Sequence, residues 1–259
     1  MKKAVFFDID GTLWNEQMQI PSSTIEAVRA LREAGCYTFI CSGRSRSNIR
    51  TPKLLAIGFD GVVAACGAHI DFHGKTEFAY LMEQKDVNHA LSVLKRHGIS
   101  VVLEGPKYIY VDDETFPDDP YVIYLRKELG DDVKSITGTK EFEINKMSAI
   151  MHGADFTCVR EELGENFSVI RHDENLIEIV PKGYSKATGI QKVCELFGID
   201  QENTYAFGDS ANDIEMLTFV AHGIAMGNGT EAVKQVAEYV TTDIMQDGIK
   251  NGLKRYGLI

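Results

Sequence analysis

Two carboxylates stand one residue apart near the start of the chain, directly after an apolar run. Residues 6–13 read FFDIDGTL, and the run 4–7 is typical of a fully buried strand. Because alternate side chains of a strand share a face, Asp8 and Asp10 point to the same side. Both carboxylates would then lie at the carboxyl end of the strand, which is where α/β proteins bind ligands. The pair could form an aspartyl-phosphate, although an ordinary strand-to-turn junction is the alternative. The third acid and closing glutamate of a calcium loop are missing.

Two further segments offer groups that could hold a phosphate. Ser42 and Gly43 follow an apolar stretch at 37–41, where a hydroxyl and free backbone N–H groups can bind phosphate oxygens. Ser42 could instead cap the next helix. Lys186 lies at the start of a predicted helix, an unfavourable end for a cation unless an anion or carboxylates lie nearby. Each of these segments is a weak signal by itself.

A fourth segment carries two acids and an amide within one turn. Residues 204–217 read TYAFGDSANDIEML, which predicts a strand ending near Gly208 and a helix starting near Asn212. Asp209 falls at the strand tip and Asp213 at the helix start. One acid would be enough to cap the helix, so two acids and an amide exceed what capping needs.

The order of these four segments resembles the four motifs of haloacid dehalogenase (HAD) superfamily phosphatases. The motifs here are DIDGT at 8–12, SGR at 42–44, Lys186 and GDSAND at 208–213. The similarity is greatest to the Cof-type branch, which has a large α/β cap between its second and third motifs. It extends over nearly the whole chain, since GIAMGNG at 223–229 and AEYVT at 237–241 also look like that branch. One departure is Cys66, which stands where the branch commonly has asparagine, so contacts of that asparagine cannot be carried over.

The resemblance implies a magnesium-dependent phosphomonoester hydrolase. It assigns Asp8 as the nucleophile and Asp10 as the general acid and base. Four acids at one strand edge would repel one another without a cation, and Mg²⁺ prefers oxygen ligands. The implied metal ligands are Asp8, Asp10 through its backbone carbonyl, Asp209 and Asp213. The implied phosphate-binding residues are Ser42, Gly43, Lys186 and Asn212. The implied partner is a small phosphorylated metabolite, a sugar phosphate first, with flavin mononucleotide and pyridoxal phosphate as further options.

Three other functions fit some of the same residues. Phosphomannomutases resemble this pattern but return the phosphoryl group to a sugar. A receiver module also uses a strand-end aspartate and magnesium, but it would be about half as long and would lack the insertion. A non-catalytic metabolite-binding protein would not need the full set of acids and lysine. A dinucleotide oxidoreductase is disfavoured, because no G-x-G-x-x-G follows the first strand.

The composition excludes several broad classes. With 259 residues, 44% hydrophobic and 25% charged, the chain is long enough for two globular domains and unlike a disordered one. Its net charge of −11 disfavours binding to nucleic acid or to an anionic membrane. No apolar run reaches the roughly 18 residues of a membrane span. The odd number of cysteines without a C-x-x-C pair predicts reduced thiols in a cytoplasmic protein. The oligomeric state stays open.

The elements that must position these residues follow from apolar periodicity. Together with the resemblance, this periodicity predicts an α/β fold, in which a Rossmann-like parallel sheet forms a HAD-like catalytic core at 1–80 plus 183–259 and is interrupted by an inserted α+β cap domain at 81–182. The predicted core strands are 4–8, 37–41, 61–65, 204–207, 222–225 and 238–240. The predicted core helices are 22–34, 45–55, 185–197, 211–218 and 230–236. The predicted cap elements are helices 84–97, 118–129 and 155–163 and strands 100–104, 107–112, 143–152 and 167–180. The insertion is expected to act as a lid that selects the leaving group.

Overall fold

The computed structural model describes residues 2–172 and 174–259. Its strands are Ala4–Phe7 (β1), Tyr37–Cys41 (β2), Gly61–Ala64 (β3), His69–Phe72 (β4), Lys75–Ala79 (β5), Ser100–Glu104 (β6), Ile109–Val111 (β7), Val133–Ser135 (β8), Lys146–Ile150 (β9), Phe167–Arg171 (β10), Leu176–Pro181 (β11), Thr204–Gly208 (β12), His222–Ala225 (β13) and Tyr239–Val240 (β14). Its α-helices are Ser22–Glu33 (α1), Pro52–Leu55 (α2), Gln84–Arg96 (α3), Pro120–Leu129 (α4), Phe156–Leu163 (α5), Lys186–Phe197 (α6), Ile214–Phe219 (α7), Glu231–Val236 (α8) and Gly248–Arg255 (α9).

The chain divides by its internal contacts into two compact units. The first comprises Met1–Arg44, Arg50–Phe78 and Tyr184–Ile259, and the second comprises Ser45–Ile49 and Ala79–Gly183. Among the described residues, no helix combines the length and the apolar character that a bilayer span requires.

The eight-stranded sheet of the first unit has the order β14-β13-β12-β1-β2-β3-β4-β5. The pairs from β14 to β3 are parallel, and β3 pairs with β4 in antiparallel orientation. The predicted α/β class with a parallel-rich sheet is therefore confirmed. Because β1 lies between β12 and β2, successive connections leave it in opposite directions. A ligand crevice forms at such a reversal in open α/β sheets.

Stacked aromatic rings form part of the core of this sheet. Phe6 and Phe39 are adjacent in register and fully buried, with ring centroids 5.2 Å apart. Gly61 separates Phe39 from Phe72 in register, and a Cβ there would lie 2.3 Å from Phe39 Cε1. The missing side chain lets the two rings stack at 5.7 Å. Burial of such aromatic area fixes the strands whose ends carry the polar motifs.

The second unit is built on a six-stranded sheet in the order β10-β11-β9-β6-β7-β8. Its pairs are antiparallel except for the parallel pair β7 and β8. One face buries Val101, Leu103 and Met147 in a cluster that includes residues of α3 and α5. The alternate residues Val102 and Val111 pack with residues of α4. The period-2 alternation of the strands thus serves two apolar layers.

The structure differs from the sequence expectations in a few elements. Residues 45–55 do not form one helix, because a 3-10 turn at Arg46–Asn48 ends before α2 begins at Pro52. Proline cannot donate a helical hydrogen bond and restricts the residue before it, so a helix starts there rather than continuing through it. The hairpin strands β4 and β5, the strand β8 and the helix α9 were not predicted. The expected strand region 167–180 contains Asp173, which lies outside the described residues.

Candidate active site

Three adjacent strands of the first unit end at the same edge of the sheet. Asp8 follows β1, Ser42 follows β2, and Asp209 follows β12. β1 is hydrogen-bonded to both of the other strands in parallel. The three side chains that the sequence placed at strand ends therefore come from neighbouring positions at one sheet edge, which is where ligands bind in this class of sheet.

Lys186 lies between two of the carboxylates. Its Nζ donates to Asp8 Oδ1 and to Asp213 Oδ1, both at 2.6 Å, and its side chain is 1% exposed. Burial opposes the charged form of Lys186, but Asp213 and Asp8 outweigh it and raise its pKa above the ordinary value. The lysine therefore stays protonated, and the carboxylates offset the unfavourable position of a cation at a helix start.

The first helical position of α6 is set by a capping box. Ser185 Oγ accepts a hydrogen bond from Thr188 N at 3.3 Å, and Thr188 Oγ1 accepts one from Ser185 N at 2.9 Å. This arrangement satisfies two backbone donors at the helix start. It also fixes where the next residue, Lys186, leaves the backbone.

Asp213 supports the loop that carries Asp209. Its Oδ2 accepts hydrogen bonds from the backbone N–H groups of Asp209 at 2.9 Å and of Ser210 at 3.0 Å. Its Oδ1 is bonded to Lys186. Since both oxygens of this fully buried carboxylate already have donors, Asp213 orients the site and balances its charge.

Asp209 faces the turn that follows Asp8. Its Oδ1 accepts a hydrogen bond from Thr12 Oγ1 at 2.8 Å. A Cβ at Gly11 would lie 2.2 Å from Asp209 Oδ2, and the φ of Gly11 is +81°. Only glycine adopts that conformation readily and leaves the carboxylate its space. Among the described residues, no hydrogen bond reaches Oδ2 of either Asp8 or Asp209.

The buried acids carry more negative charge than Lys186 can balance. Burial raises the pKa of Asp8 well above its ordinary value, and Asp213 and Asp209 add to this effect while Lys186 opposes it. Burial, followed by the charge of Asp213, raises the pKa of Asp209 to about 6. Asp8, Asp209 and Asp213 each offer one oxygen within 4.8 Å of the others. This all-oxygen set fits a hard divalent cation, which would supply the missing positive charge.

Asp10 lies apart from this cluster and has its own donors. Arg44 Nε donates to its Oδ2 at 2.7 Å, and Arg44 Nη2 donates to its Oδ1 at 2.8 Å. The indole Nε1 of Trp14 donates to Oδ1 at 2.8 Å. Burial alone would raise the pKa of Asp10, but Arg44, through hydrogen bonds and charge, and Trp14 outweigh it and lower that pKa. Its side chain is 54% exposed.

The expected phosphate-binding residues Ser42, Gly43 and Asn212 differ in their surroundings. Ser42 is 2% exposed, and its Oγ accepts a hydrogen bond from Arg44 N at 3.2 Å. Its backbone N–H donates to Val63 O at 2.9 Å, so that N–H is not free as the sequence had indicated. Gly43 is also buried. The amide oxygen of Asn212 accepts a hydrogen bond from Ser210 Oγ at 2.7 Å, and among the residues that the structure describes no hydrogen bond joins Asn212 to Asp8.

Two residues that contact the motifs were missed at the sequence level. Trp14 is four residues after Asp10 and is the only tryptophan of the chain. Asn228 Nδ2 donates to Gly11 O at 2.8 Å, and its Oδ1 accepts a hydrogen bond from Ile244 N at 2.9 Å. The spacing of a single tryptophan beside the motif was a usable signal. The second contact spans 217 positions, so local pattern could not reveal it.

Sequence comparisons with known proteins match nearly the whole chain. The family model described as haloacid dehalogenase-like hydrolase matches residues 5–253. The 5-amino-6-(5-phospho-D-ribitylamino)uracil phosphatase YitU of Bacillus subtilis (strain 168) is 28% identical, over 97% of this chain and 96% of that protein. The pyridoxal phosphate phosphatase YbhA of Escherichia coli (strain K12) is 28% identical, over 95% of this chain and 96% of that protein.

A solved structure extends the similarity to the fold. The HAD subclass IIB sugar phosphatase BT4131 superposes with a TM-score of 0.85 at 30% sequence identity, covering 99% of this chain and 100% of that one. The family match spans both units of the chain. Each of the three similar phosphatases aligns with this chain over nearly its whole length. The chain therefore belongs to the haloacid dehalogenase-like hydrolases, and it is a phosphatase of that superfamily.

Proposed function

We propose that this phosphatase hydrolyses small phosphomonoesters with Mg²⁺ through an aspartyl-phosphate on Asp8. The observation that carries the proposal is the buried cluster in which Asp8, Asp209 and Asp213 bring oxygens within 4.8 Å of one another beside Lys186. A nucleophilic carboxylate, a divalent-cation site and a fixed ammonium group are what phosphoryl transfer needs from a protein.

In the first step an oxygen of Asp8 attacks phosphorus. The bond from phosphorus to Asp8 forms, the bond to the ester oxygen breaks, and the departing alcohol takes a proton from Asp10, which can carry that proton once Arg44 has released its Oδ2. Covalent catalysis divides one difficult hydrolysis into two easier steps. Ser42, Gly43, Lys186 and Asn212 are the residues that we assign to the phosphoryl oxygens.

In the second step water replaces the alcohol. Asp10, now a carboxylate, accepts a proton from the water as its oxygen attacks phosphorus. The bond between phosphorus and Asp8 breaks, which releases inorganic phosphate and regenerates both carboxyl groups in their starting states. The same residue thus serves as acid and then as base.

Asp8 and Asp209 would hold the Mg²⁺ through side-chain oxygens, with Asp10 contributing its backbone carbonyl. When bound, the ion neutralises the acids and stabilises negative charge on the transferring group. Asp213, whose two oxygens already accept hydrogen bonds, would support these ligands without binding the ion itself. The protein itself contributes orientation and fixed charge.

The substrate class that we propose is a small phosphorylated metabolite, with sugar phosphates first. A sugar phosphatase, a phosphoribityl-aminouracil phosphatase and a pyridoxal phosphate phosphatase are among the similar proteins. Their substrates are phosphate esters of small alcohols. An alcohol leaves poorly as an anion, which is why an acid such as Asp10 is needed.

A phosphate-release screen tests the proposal. Phosphorylated sugars, flavin mononucleotide and pyridoxal phosphate would be incubated with the protein in Mg²⁺ or in EDTA. We expect release only with Mg²⁺ and none from Asp8→Asn, because the amide is nearly isosteric but not nucleophilic. Asp200→Asn, a substitution at an exposed position outside the four motifs, is the matched control and should keep wild-type rates. Retained hydrolysis by Asp8→Asn would show that the nucleophile is another residue.

Asp10 is tested separately. Asp10→Asn should slow both formation and breakdown of the aspartyl-phosphate, by about 10²-fold or more if it acts as general acid and base. Rapid-quench measurement of the phosphorylated protein resolves the two steps. Near-normal rates in both steps would remove Asp10 from this role.

A further inference from the structure

The carboxylate of Asp10 is exposed, yet one of its donors is a buried ring. The Trp14 side chain belongs to the buried core at 2% exposure, and its Nε1 reaches Asp10 Oδ1 at 2.8 Å. A buried indole usually needs a partner for its single N–H group. Here that partner is the side chain to which the proposed function gives the proton transfers.

The turn between the two residues fixes the position of the indole. Ile9 O accepts hydrogen bonds from Leu13 N at 2.9 Å and from Trp14 N at 3.2 Å, and Gly11 N donates to Trp14 O at 2.9 Å. Asp10 and Trp14 also form an isolated β-bridge. The backbone of Trp14 is therefore tied to the loop that carries Asp10, and the N–H donor keeps a set direction.

The second donor to Asp10 is of a different kind. Arg44 binds both oxygens, with Nε to Oδ2 at 2.7 Å and Nη2 to Oδ1 at 2.8 Å, and its guanidinium lies over the Trp14 ring at 5.5 Å from the centroid. Its side chain is 28% exposed and reaches Asp10 from a segment 34 positions away. Oδ1 thus has two donors, whereas within the described part of the chain only Arg44 donates to Oδ2.

We propose that Trp14 is a positioning residue that anchors Oδ1 of Asp10 and so presents Oδ2 for proton transfer to the leaving group. The inference rests on the general-acid role of Asp10 in the proposed function. Arg44 must release Oδ2 before that oxygen can meet the ester, while the indole keeps hold of Oδ1. A carboxyl group anchored at one oxygen loses rotational freedom and delivers its proton in one direction.

This role makes a prediction that a structural role does not. A positioned acid matters most when the leaving group needs a proton, as phenol does, and least when it departs readily as an anion, as 4-nitrophenol does. Phenyl phosphate and 4-nitrophenyl phosphate are nearly the same size, so a general loosening of the site would slow both alike. The ratio of their kcat/KM values therefore isolates the proton transfer.

The experiment compares Trp14→Phe with the wild type on both esters in the presence of Mg²⁺. Removal of the indole donor that anchors Oδ1 of Asp10 should lower kcat/KM for phenyl phosphate about tenfold or more, with less than about a threefold change for 4-nitrophenyl phosphate. Lys53→Gln is the matched control, because Lys53 Nζ also lies over the Trp14 ring, at 6.0 Å from the centroid, while the donors to Asp10 within the described residues are Trp14 and Arg44. It should leave both values unchanged.

A second variant guards against misfolding of Trp14→Phe. Because the chain has one tryptophan, biosynthetic replacement by benzothienylalanine changes only residue 14 and swaps the N–H for sulfur at nearly constant ring size. The same selective loss is expected. An equal loss on both esters, or no loss on either, in this variant would overturn the inference. Asp10→Asn is the reference: if it shows the selective loss and the residue-14 variants do not, only the positioning role fails. If Asp10→Asn shows none, the acid role of Asp10 fails first.

Discussion

At the scale of single residues, the candidate site is defined by buried charges that are paired incompletely. Lys186 binds Asp8 and Asp213, whereas the one side-chain donor to Asp209 from the described residues is the neutral Thr12 hydroxyl. Breaking such a set is costly, because a buried charge without a partner is strongly destabilising. The same imbalance makes the cluster receptive to a divalent cation.

Gly11 offers a test of how closely this cluster is packed. Gly11→Ala would put a Cβ 2.2 Å from Asp209 Oδ2 at a φ of +81°. We expect it to displace the carboxylate, weaken Mg²⁺ binding by about tenfold or more and lower the free energy of unfolding by about 1–3 kcal/mol. Isothermal titration calorimetry and urea unfolding measure the two effects.

The matched control for Gly11 is another glycine of the same unit. Gly74 has a φ of +77°, but nothing lies within 4 Å of the Cβ that alanine would add. Gly74→Ala should therefore lower stability by the backbone strain alone and leave Mg²⁺ affinity as in the wild type. Unchanged Mg²⁺ affinity in Gly11→Ala would contradict the close packing of Asp209 against this turn.

At the scale of elements, α6 has a sequence that is unfavourable for an isolated helix, but its packing brings Lys186 to the candidate site. It begins with a lysine and carries a glycine, Gly189, at the end of its first turn. Gly189 faces Gly67, and a Cβ at position 189 would lie 2.6 Å from Gly67 Cα and 2.5 Å from Val63 Cγ1. The helix start thus packs closely against the end of β3, and this close approach places Lys186 beside Asp8.

Gly189→Ala separates helix propensity from packing. In an exposed helix this substitution would stabilise by about 1 kcal/mol, but here the added methyl group must push α6 away from β3. We expect a net loss of about 1–3 kcal/mol in the free energy of unfolding, together with slower phosphate release, because Lys186 is carried by the same turn. Gln191→Ala, at an exposed position of α6, should change the free energy by less than about 0.5 kcal/mol. A gain in stability in Gly189→Ala would refute the packing argument.

At the scale of the whole chain, the candidate site depends on segments far apart in sequence. The ion pair between Asp8 and Lys186 joins positions separated by 178 residues. The entire second unit lies between these two positions in the chain. The second unit carries a buried polar cluster of its own. Lys146 pairs with Glu178 and lies 3.4 Å from Glu104, and His172 Nε2 lies 2.9 Å from Glu178 Oε2.

This cluster predicts that the chain loses stability in acid. Burial opposes ionisation of Glu178, but Lys146 and then His172 outweigh it and lower its pKa to about 2 from an ordinary value of 4.5. A carboxyl group with a lowered pKa contributes stability above its unfolded pKa and loses it as the pH falls through the folded one. That contribution, on the order of 3 kcal/mol, should be complete above about pH 5 and decline toward pH 2.

The measurement is the free energy of urea unfolding at pH 7 and at pH 3. Glu178→Gln cannot titrate, so its stability should fall less between the two pH values than that of the wild type. Glu231→Gln replaces the carboxylate of a side chain that is 84% exposed and should follow the wild type. Identical pH dependence in Glu178→Gln and wild type would show that the cluster contributes nothing to acid sensitivity.

Local pattern was sufficient for most elements of both units. The strand Tyr37–Cys41 and the strand Ser100–Glu104 have the predicted bounds, because each is an apolar run between clear breaks. The hairpin β4 and β5 was missed, since β5 is largely exposed and has no apolar alternation. Helix α9 was missed as well, because two of its eight residues are glycines, which lower helix propensity and are buried here; Gly252 lies against Phe207 of β12.

The sequence by itself determined the kinds of chemical group and their order: acids at two strand ends, a hydroxyl at a third and a lysine at a helix start. Parallel strands end at one edge, so that order already implied a shared site. Only the tertiary structure decided which groups touch. In it, Lys186 pairs with both Asp8 and Asp213, Asp209 packs against Gly11, and Asp10 accepts hydrogen bonds from Trp14 and Arg44. These contacts join separate segments at distances of a few ångströms, and side-chain packing sets such distances, whereas the one-dimensional pattern does not.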